Sequence, residues 1–264
     1  MSVCFFVILL TFATSASAQV LPRAELRPET TQAFEDYARS REARILSRRI
    51  NGGKFLWADD TDDRRARVRG GEVVIEPFRD RGVIDVKGGM IHDWIGAAFL
   101  PNTTLAKVLA KIQNYDNHKN LYQPEVSDSR LLSHEGNQFR VRLRLLKKKV
   151  IAVVLNSDHE ITYFPLDATR QHSKSRTTRI AQVEDPGGRG EHELTPGDDH
   201  GLLWNLNTFW RFLERDGGVW VECEAISLTR GIPVGFGWLI TPIVRELPRE
   251  SLTHTLEGTR RALR

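Results

Sequence analysis

Two long β-type runs meet at a tight Asp216-Gly217-Gly218 turn, and this hairpin limits the fold more than any other feature. The first run is Gly201 to Phe212 and the second is Val219 to Leu228. An apolar stretch follows, Ile232 to Leu247, which carries Trp238 and is interrupted by Pro233 and Pro242. The prolines predict that this stretch is not one continuous helix, and it is too short to span a bilayer. Pro248 then suits a first helical turn, and Leu252, Leu256, Thr259 and Leu263 form one stripe behind it. A hairpin feeding a closing helix predicts an antiparallel sheet wrapped on that helix, with an apolar cavity between them.

The segments upstream supply the rest of such a sheet. Thr31 to Ile50 has Phe34, Tyr37, Ala38, Ile45 and Leu46 near helical spacing, with an Arg-rich opposite side. That side is read as solvated, although it could touch an anionic membrane surface. Residues 51–69 read as irregular, with a short Phe55-Leu56-Trp57 strand, and Glu72 to Pro77 as a further strand. Met90 to Phe99 reads as one strand or two. Thr103 or Thr104 then caps a helix carrying Leu105, Val108, Leu109 and Ile112. Leu121 to Val126 reads as an extended linker. Gln138 to Leu145 alternates most cleanly: Phe139, Val141, Leu143 and Leu145 point one way, and Arg140, Arg142 and Arg144 the other. Val150–Leu155, Ile161–Leu166 and Arg176–Glu184 are further strands. The order predicts an α+β domain with helices on one face of a curved antiparallel sheet.

The first 18 residues stand apart. Val3 to Phe12 is apolar, and Ala16-Ser17-Ala18 has the small-x-small form of a signal-peptidase site, so cleavage before Gln19 and a secreted or periplasmic product are expected. An uncleaved N-terminal anchor is the alternative. Beyond residue 18 the one cysteine is Cys223, so no internal disulfide is available and the core must hold the fold. The net charge of +4 is spread along the chain, which argues against a nucleic-acid partner. The expected organisation is a signal peptide at 1–18, an extension at 19–82 and one domain at 83–264.

Several segments together resemble the START-like, helix-grip superfamily, also called SRPBCC. They are Leu105 to Tyr122, Gln123-Pro124-Glu125-Val126 with Ser129-Arg130-Leu131-Leu132, Ser175 to Ile180, Trp204 to Phe212, and Ser227-Leu228-Thr229-Arg230-Gly231-Ile232-Pro233. The chain is most similar to exported bacterial members with an added N-terminal region. The resemblance implies a curved antiparallel sheet wrapped around a long C-terminal helix, with a deep cavity between them. It also implies ligands such as sterols, phospholipids, polyketides or plant hormones, with catalysis in some members. Residues 19–82 have no counterpart in the minimal domain.

The candidate ligand-binding residues follow from strand parity and from this resemblance. Trp204 and Trp210 share a parity with Leu202, Leu206 and Phe212 and would offer apolar walls; ordinary core packing is the competing reading. Arg211, of opposite parity, is read as solvated. Val221 and Cys223 share one face of the second run and are expected to line the void, while Glu222 and Glu224 stay wet. Leu252, Leu256 and Trp238 would close the cavity from the C-terminal side. His92 and Trp94 share a face, His92 being a head-group contact or a core histidine. Arg230 could hold an anionic head group or make a structural ion pair. Tyr122, with His118 and Asp116, could gate the cavity, against a solvated-loop reading.

Asp198-Asp199-His200 with His192 and Glu193 lacks a tight metal spacing, so no metal is expected. No motif for a catalytic nucleophile or a phosphate-cradling loop is present, and no cofactor is expected. The leading functional expectation is a noncatalytic carrier of a hydrophobic small molecule or lipid. A cyclase- or hydrolase-type cavity enzyme would instead require two or more convergent titratable groups. A structural protein would have its cavity filled, with a void well under about 300 Å³.

Overall fold

The computed structural model describes residues 22–78, 81–148, 152–232, 235 and 237–263, with the side chains at 238–240 and 242–245 outside that description. The segment 1–18, read from sequence as a signal peptide, and the side chain of Trp238 therefore lie outside the described residues. A short strand β1 (Ala24–Glu25) precedes helix α1 (Pro28–Ile45), which runs into a π-helical turn at Leu46–Ile50. A 3-10 turn at Ala58–Asp60 leads to α2 (Asp62–Arg69), β2 (Val74–Pro77) and β3 (Val83–Val86). Then come β4 (Gly89–Pro101), α3 (Leu105–Ile112), α4 (His118–Leu121), β5 (Val126–Glu135), β6 (Gln138–Lys148), β7 (Ala152–Pro165) and β8 (Arg170–Glu184). The chain ends with β9 (His192–Glu193), β10 (Asp198–Asp199), β11 (Asn205–Arg215), β12 (Gly218–Arg230) and α5 (Gly237–Arg261).

The main sheet has ten strands in the order β2-β4-β12-β11-β8-β7-β6-β5, with β3 on β4 and β9 on β8. All its pairings are antiparallel. The β11–β12 hairpin turns at Asp216 (φ 60°) and Gly217 (φ 74°), the two positive φ angles of a type I′ turn. This is an α+β fold: a large curved antiparallel sheet with a long C-terminal helix on its inner face. Leu252 and Leu256 of α5 enter one core with Trp94, Ala98, Phe212, Val219, Val221 and Cys223 of the sheet. Gly96 lets the helix sit this close, because a Cβ there would collide with Ile75 and Leu256.

The helix α5 runs continuously from Gly237 through Pro242 and Pro248, against the expectation that the prolines would end it. Its packing against β4 and β12 outweighs the local cost of proline. Other boundaries also differ. Residues 62–69 form α2, capped by the Thr61 side chain on Arg64 N–H, and Phe55-Leu56-Trp57 is not a strand. β7 is one strand of 14 residues instead of two, and β5 occupies part of the expected linker.

The outer face of the sheet is not wet at its centre. Phe34, Ala38 and Ile45 of α1 pack on Ile91, Phe209, Ile226 and Leu228. Phe55, Leu56, Trp57, Ala58 and Val68 pack on Ile95, Ala97, Phe99 and Trp220. Residues 22–78 thus add a strand to the sheet and a layer over β4, β11 and β12. Beneath that layer lie Glu222 and Glu224, expected to be wet, and Arg211, expected to be solvated; all three are at most 2% exposed. Their charges are paired locally, although Arg211 Nη1 and Nη2 are buried without a hydrogen-bond partner among the described residues. Arg211 Nε donates to Glu222 at 3.0 Å, and Glu222 also accepts from the backbone N–H groups of Trp57 and Ala58. Arg41 crosses from α1 to bond Asp93 at 2.9 Å and Glu224, so the basic side of that helix is divided between solvent and sheet. Strand parity alone assigns these residues to the outer face. Only the covering layer removes them from water.

Candidate functional site

Between the inner face of the sheet and α5 lies a cavity of about 260 Å³. Its apolar wall comes from alternate residues of neighbouring strands: Val141, Leu143 and Leu145 on β6, Val153, Leu155 and Ile161 on β7, and Trp210 on β11. Leu252 of α5 and Ile112 of α3 close it. Glu125, Lys147, Ser251 and His254 sit on one side, where Lys147 pairs with Glu125 and reaches Ser251 at 2.6 Å.

The polar lining gathers where α3, α4 and the β5–β8 part of the sheet converge. His118 is buried at the start of α4, and its Nε2–H donates to the Ile112 carbonyl at 2.7 Å. It is packed between the rings of Tyr115 and Tyr122, 4.7 and 4.9 Å away between centroids. His159 projects inward from β7 and contacts Ser157 Oγ at 2.9 Å. Tyr115 and Tyr163 share a hydrogen bond of 2.8 Å. Ser173, Ser175, Thr208, Ser227 and Thr229 add hydroxyls. Burial lowers His118 and His159 to about 4, outweighing the Ile112 bond in the first case and the Asp158 charge in the second. Burial likewise raises Tyr122 to about 12 and Tyr115, Tyr163 and Cys223 further. At neutral pH His118, His159 and the three tyrosines are therefore uncharged.

The residues singled out from sequence divide between cavity, core and outer layer. Trp210, Cys223, Tyr122 and Leu252 line the cavity. Val221 and Leu256 are fully buried in the core beside it. Trp94 belongs to the same core. Trp204 lies outside the cavity. It precedes the first residue of β11, so strand parity does not extend to it; it packs with Phe34 and Phe209, and its Nε1–H donates to Asp199 at 3.0 Å. His92 is one hydrogen bond removed from the cavity, 2.9 Å from the hydroxyl of Thr229, which lines it. Arg230 faces outward, its Nη1 donates to the carbonyls of Pro22 and His200, and among the described residues it makes no ion pair with a Glu. His118 and Tyr122 are buried where a solvated loop was the expectation, while Asp116 accepts from Leu131 N–H at the edge of β5.

Sequence reasoning passed over His159, Tyr115 and Tyr163. The signal was available for two of them: Val153, Leu155, Ser157, His159, Ile161 and Tyr163 keep one parity through β7. Splitting that strand in two hid it. Among the described residues no cluster of His, Cys, Asp or Glu has metal-binding geometry, and no helix is long and apolar enough to cross a membrane.

A curved antiparallel sheet, a C-terminal helix across its inner face and a cavity between them define the START-like helix-grip arrangement. No family model matches the chain, and no curated protein does. Solved structures of similar fold include the protein TTHA0849 from Thermus thermophilus, at a TM-score of 0.47 and 15% identity over 64% of this chain and 94% of that one. A STAR-related lipid transfer protein from Xanthomonas axonopodis has a TM-score of 0.43 and 18% identity, covering 74% and 98% of the two chains. The Zhui aromatase/cyclase from Streptomyces has a TM-score of 0.38 and 14% identity, covering 66% and 93%.

Proposed function

We propose that this protein binds and carries a hydrophobic small molecule in the cavity between the sheet and α5. The observation that carries this reading is the void of about 260 Å³, with an apolar wall and an uncharged polar end. Its volume lies just below the usual range of roughly 300–1,000 Å³ for ligand pockets. An apolar cavity of about 150 Å³ takes up benzene, so this one suits a molecule of about two fused rings. A filled-core structural protein is disfavoured by the same void.

The convergence of His118, His159, Tyr115 and Tyr163 is the observation that favours the enzyme reading. Their protonation opposes it. A general acid or base works best with a pKa near the operating pH, whereas burial moves the histidines down and the tyrosines up. The carrier reading therefore stands first. We also propose export of the mature chain, on the strength of the apolar run ending at Ala16-Ser17-Ala18.

Native mass spectrometry of protein purified from its own host tests the function. A co-purifying neutral mass that leaves on mild activation is the expected result. A bare protein that also fails to take up any apolar probe would reject the carrier reading. N-terminal sequencing that finds Met1 on the bulk of native protein would reject cleavage.

A further inference from the structure

The polar end of the cavity has a donor and acceptor pattern that narrows the ligand, given the carrier reading above. His118 Nε2 faces a carbonyl oxygen, which can only accept, so that nitrogen carries the hydrogen. In the neutral ring Nδ1 is then a bare acceptor, and among the described residues it has no hydrogen-bond partner. Ser157 directs its own hydroxyl hydrogen toward the Leu143 carbonyl at 3.4 Å, so its oxygen accepts from His159 Nε2–H. His159 Nδ1 is thereby a second bare acceptor. The Tyr115–Tyr163 pair uses one hydroxyl hydrogen in its mutual bond, and the other hydrogen is unspent. Two acceptors and one donor thus meet at one end of an apolar cavity.

We propose that this end is a hydroxyl-recognition subsite, in which His118, packed beside Tyr115, accepts the one hydrogen of a ligand hydroxyl, the tyrosine pair donates to its oxygen, and the ligand is an uncharged alcohol or phenol on an apolar body. A hydroxyl is the small group that donates and accepts at once. An anionic head group could only accept and would meet the two bare lone pairs. A cationic head group could only donate, and among the described lining residues it would find no carboxylate except Glu125, already paired with Lys147. Burying either charge unpaired is costly.

Isothermal titration at pH 7.5 with three probes of one skeleton tests the subsite: naphthalene, 2-naphthol and 2-naphthalenesulfonate. The expected order places 2-naphthol about tenfold tighter than naphthalene, the size of a single buried hydrogen bond. The sulfonate should bind at least about tenfold more weakly than 2-naphthol. His118→Phe should bring 2-naphthol to the level of naphthalene and leave naphthalene within about twofold. If that variant does not fold, the wild-type ranking of the three probes carries the test by itself. Equal binding of naphthalene and 2-naphthol by wild type overturns the proposal, as does sulfonate binding as tight as 2-naphthol. A gap that survives His118→Phe also overturns it. Failure of all three probes to bind folded wild-type protein overturns the carrier reading itself, and the subsite with it.

Discussion

Arg211 and Glu222 are direct cross-strand partners on β11 and β12, joined Nε to Oε2 at 3.0 Å with neither side chain more than 1% exposed. The pair lies under Trp57 and Ala58, whose backbone N–H groups donate to the same carboxylate. A buried ion pair is weak evidence for stability, but removing one partner strands the other charge. Glu222→Leu should therefore cost about 3–5 kcal/mol in chemical denaturation. The double variant Arg211→Leu with Glu222→Leu should recover part of that loss, not all, because the two backbone N–H groups stay unpaired. A single-variant cost under about 1 kcal/mol would show that the covering layer opens freely to water.

Asp93 sits in a second buried cluster, where Tyr37 donates to it at 2.7 Å, Arg41 bonds it, and Glu224 lies close. Burial first, and the Glu224 charge second, push its carboxyl up from 3.8 to about 7 despite Arg41 and Tyr37. The folded state then holds a proton that the unfolded chain releases. The corresponding stability is fully present below about pH 3.8 and is lost as pH rises toward 7. Asp93→Asn should flatten this neutral-side decline in a melting-temperature profile. An unchanged slope in the variant would reject the assignment.

His118 and His159 act on the other limb. Each is lowered from 6.5 to about 4 by burial, so the unfolded chain takes up protons that the folded state refuses. Stability from this source is present above about pH 6.5 and is lost as pH falls through 4, by at most ~3 kcal/mol per histidine. Comparing pH 7 with pH 4, His159→Phe should lose less stability than wild type by about that amount. An equal loss would mean the histidine is accessible to protons in the folded state.

Cavity filling separates the lining from the core. Ala225 lines the void, whereas Val221 is fully buried beside it. Ala225→Phe should abolish uptake of an apolar probe and leave the melting temperature within a few degrees. Val221→Trp should instead destabilise by overpacking, about 1–3 kcal/mol or more. The reverse pattern would place the void at the level of Val221.

The alternation at 138–145, the Asp216-Gly217 turn and the leucine stripe from Leu252 onward were legible because periodicity and turn chemistry are local. They determined an antiparallel sheet closed by a helix. Parity also assigned Trp210 and Cys223 to the inner face, where they line the cavity. Which residues of one face border the void was decided only by the packing around them, since Val221 and Cys223 share a parity and a core, yet of the two it is Cys223 that lines the void. The burial of Arg41, Asp93, Arg211, Glu222 and Glu224 was likewise decided in three dimensions. A charged residue on an outward parity reads as solvated until another segment covers it. Here the cover comes from residues more than fifty positions away, with its own arginine and backbone donors placed to meet those charges. The uncharged polar end has the same origin. His118 and His159 are ordinary titrating groups in the chain, and only burial among Tyr115, Tyr122 and the sheet holds them neutral.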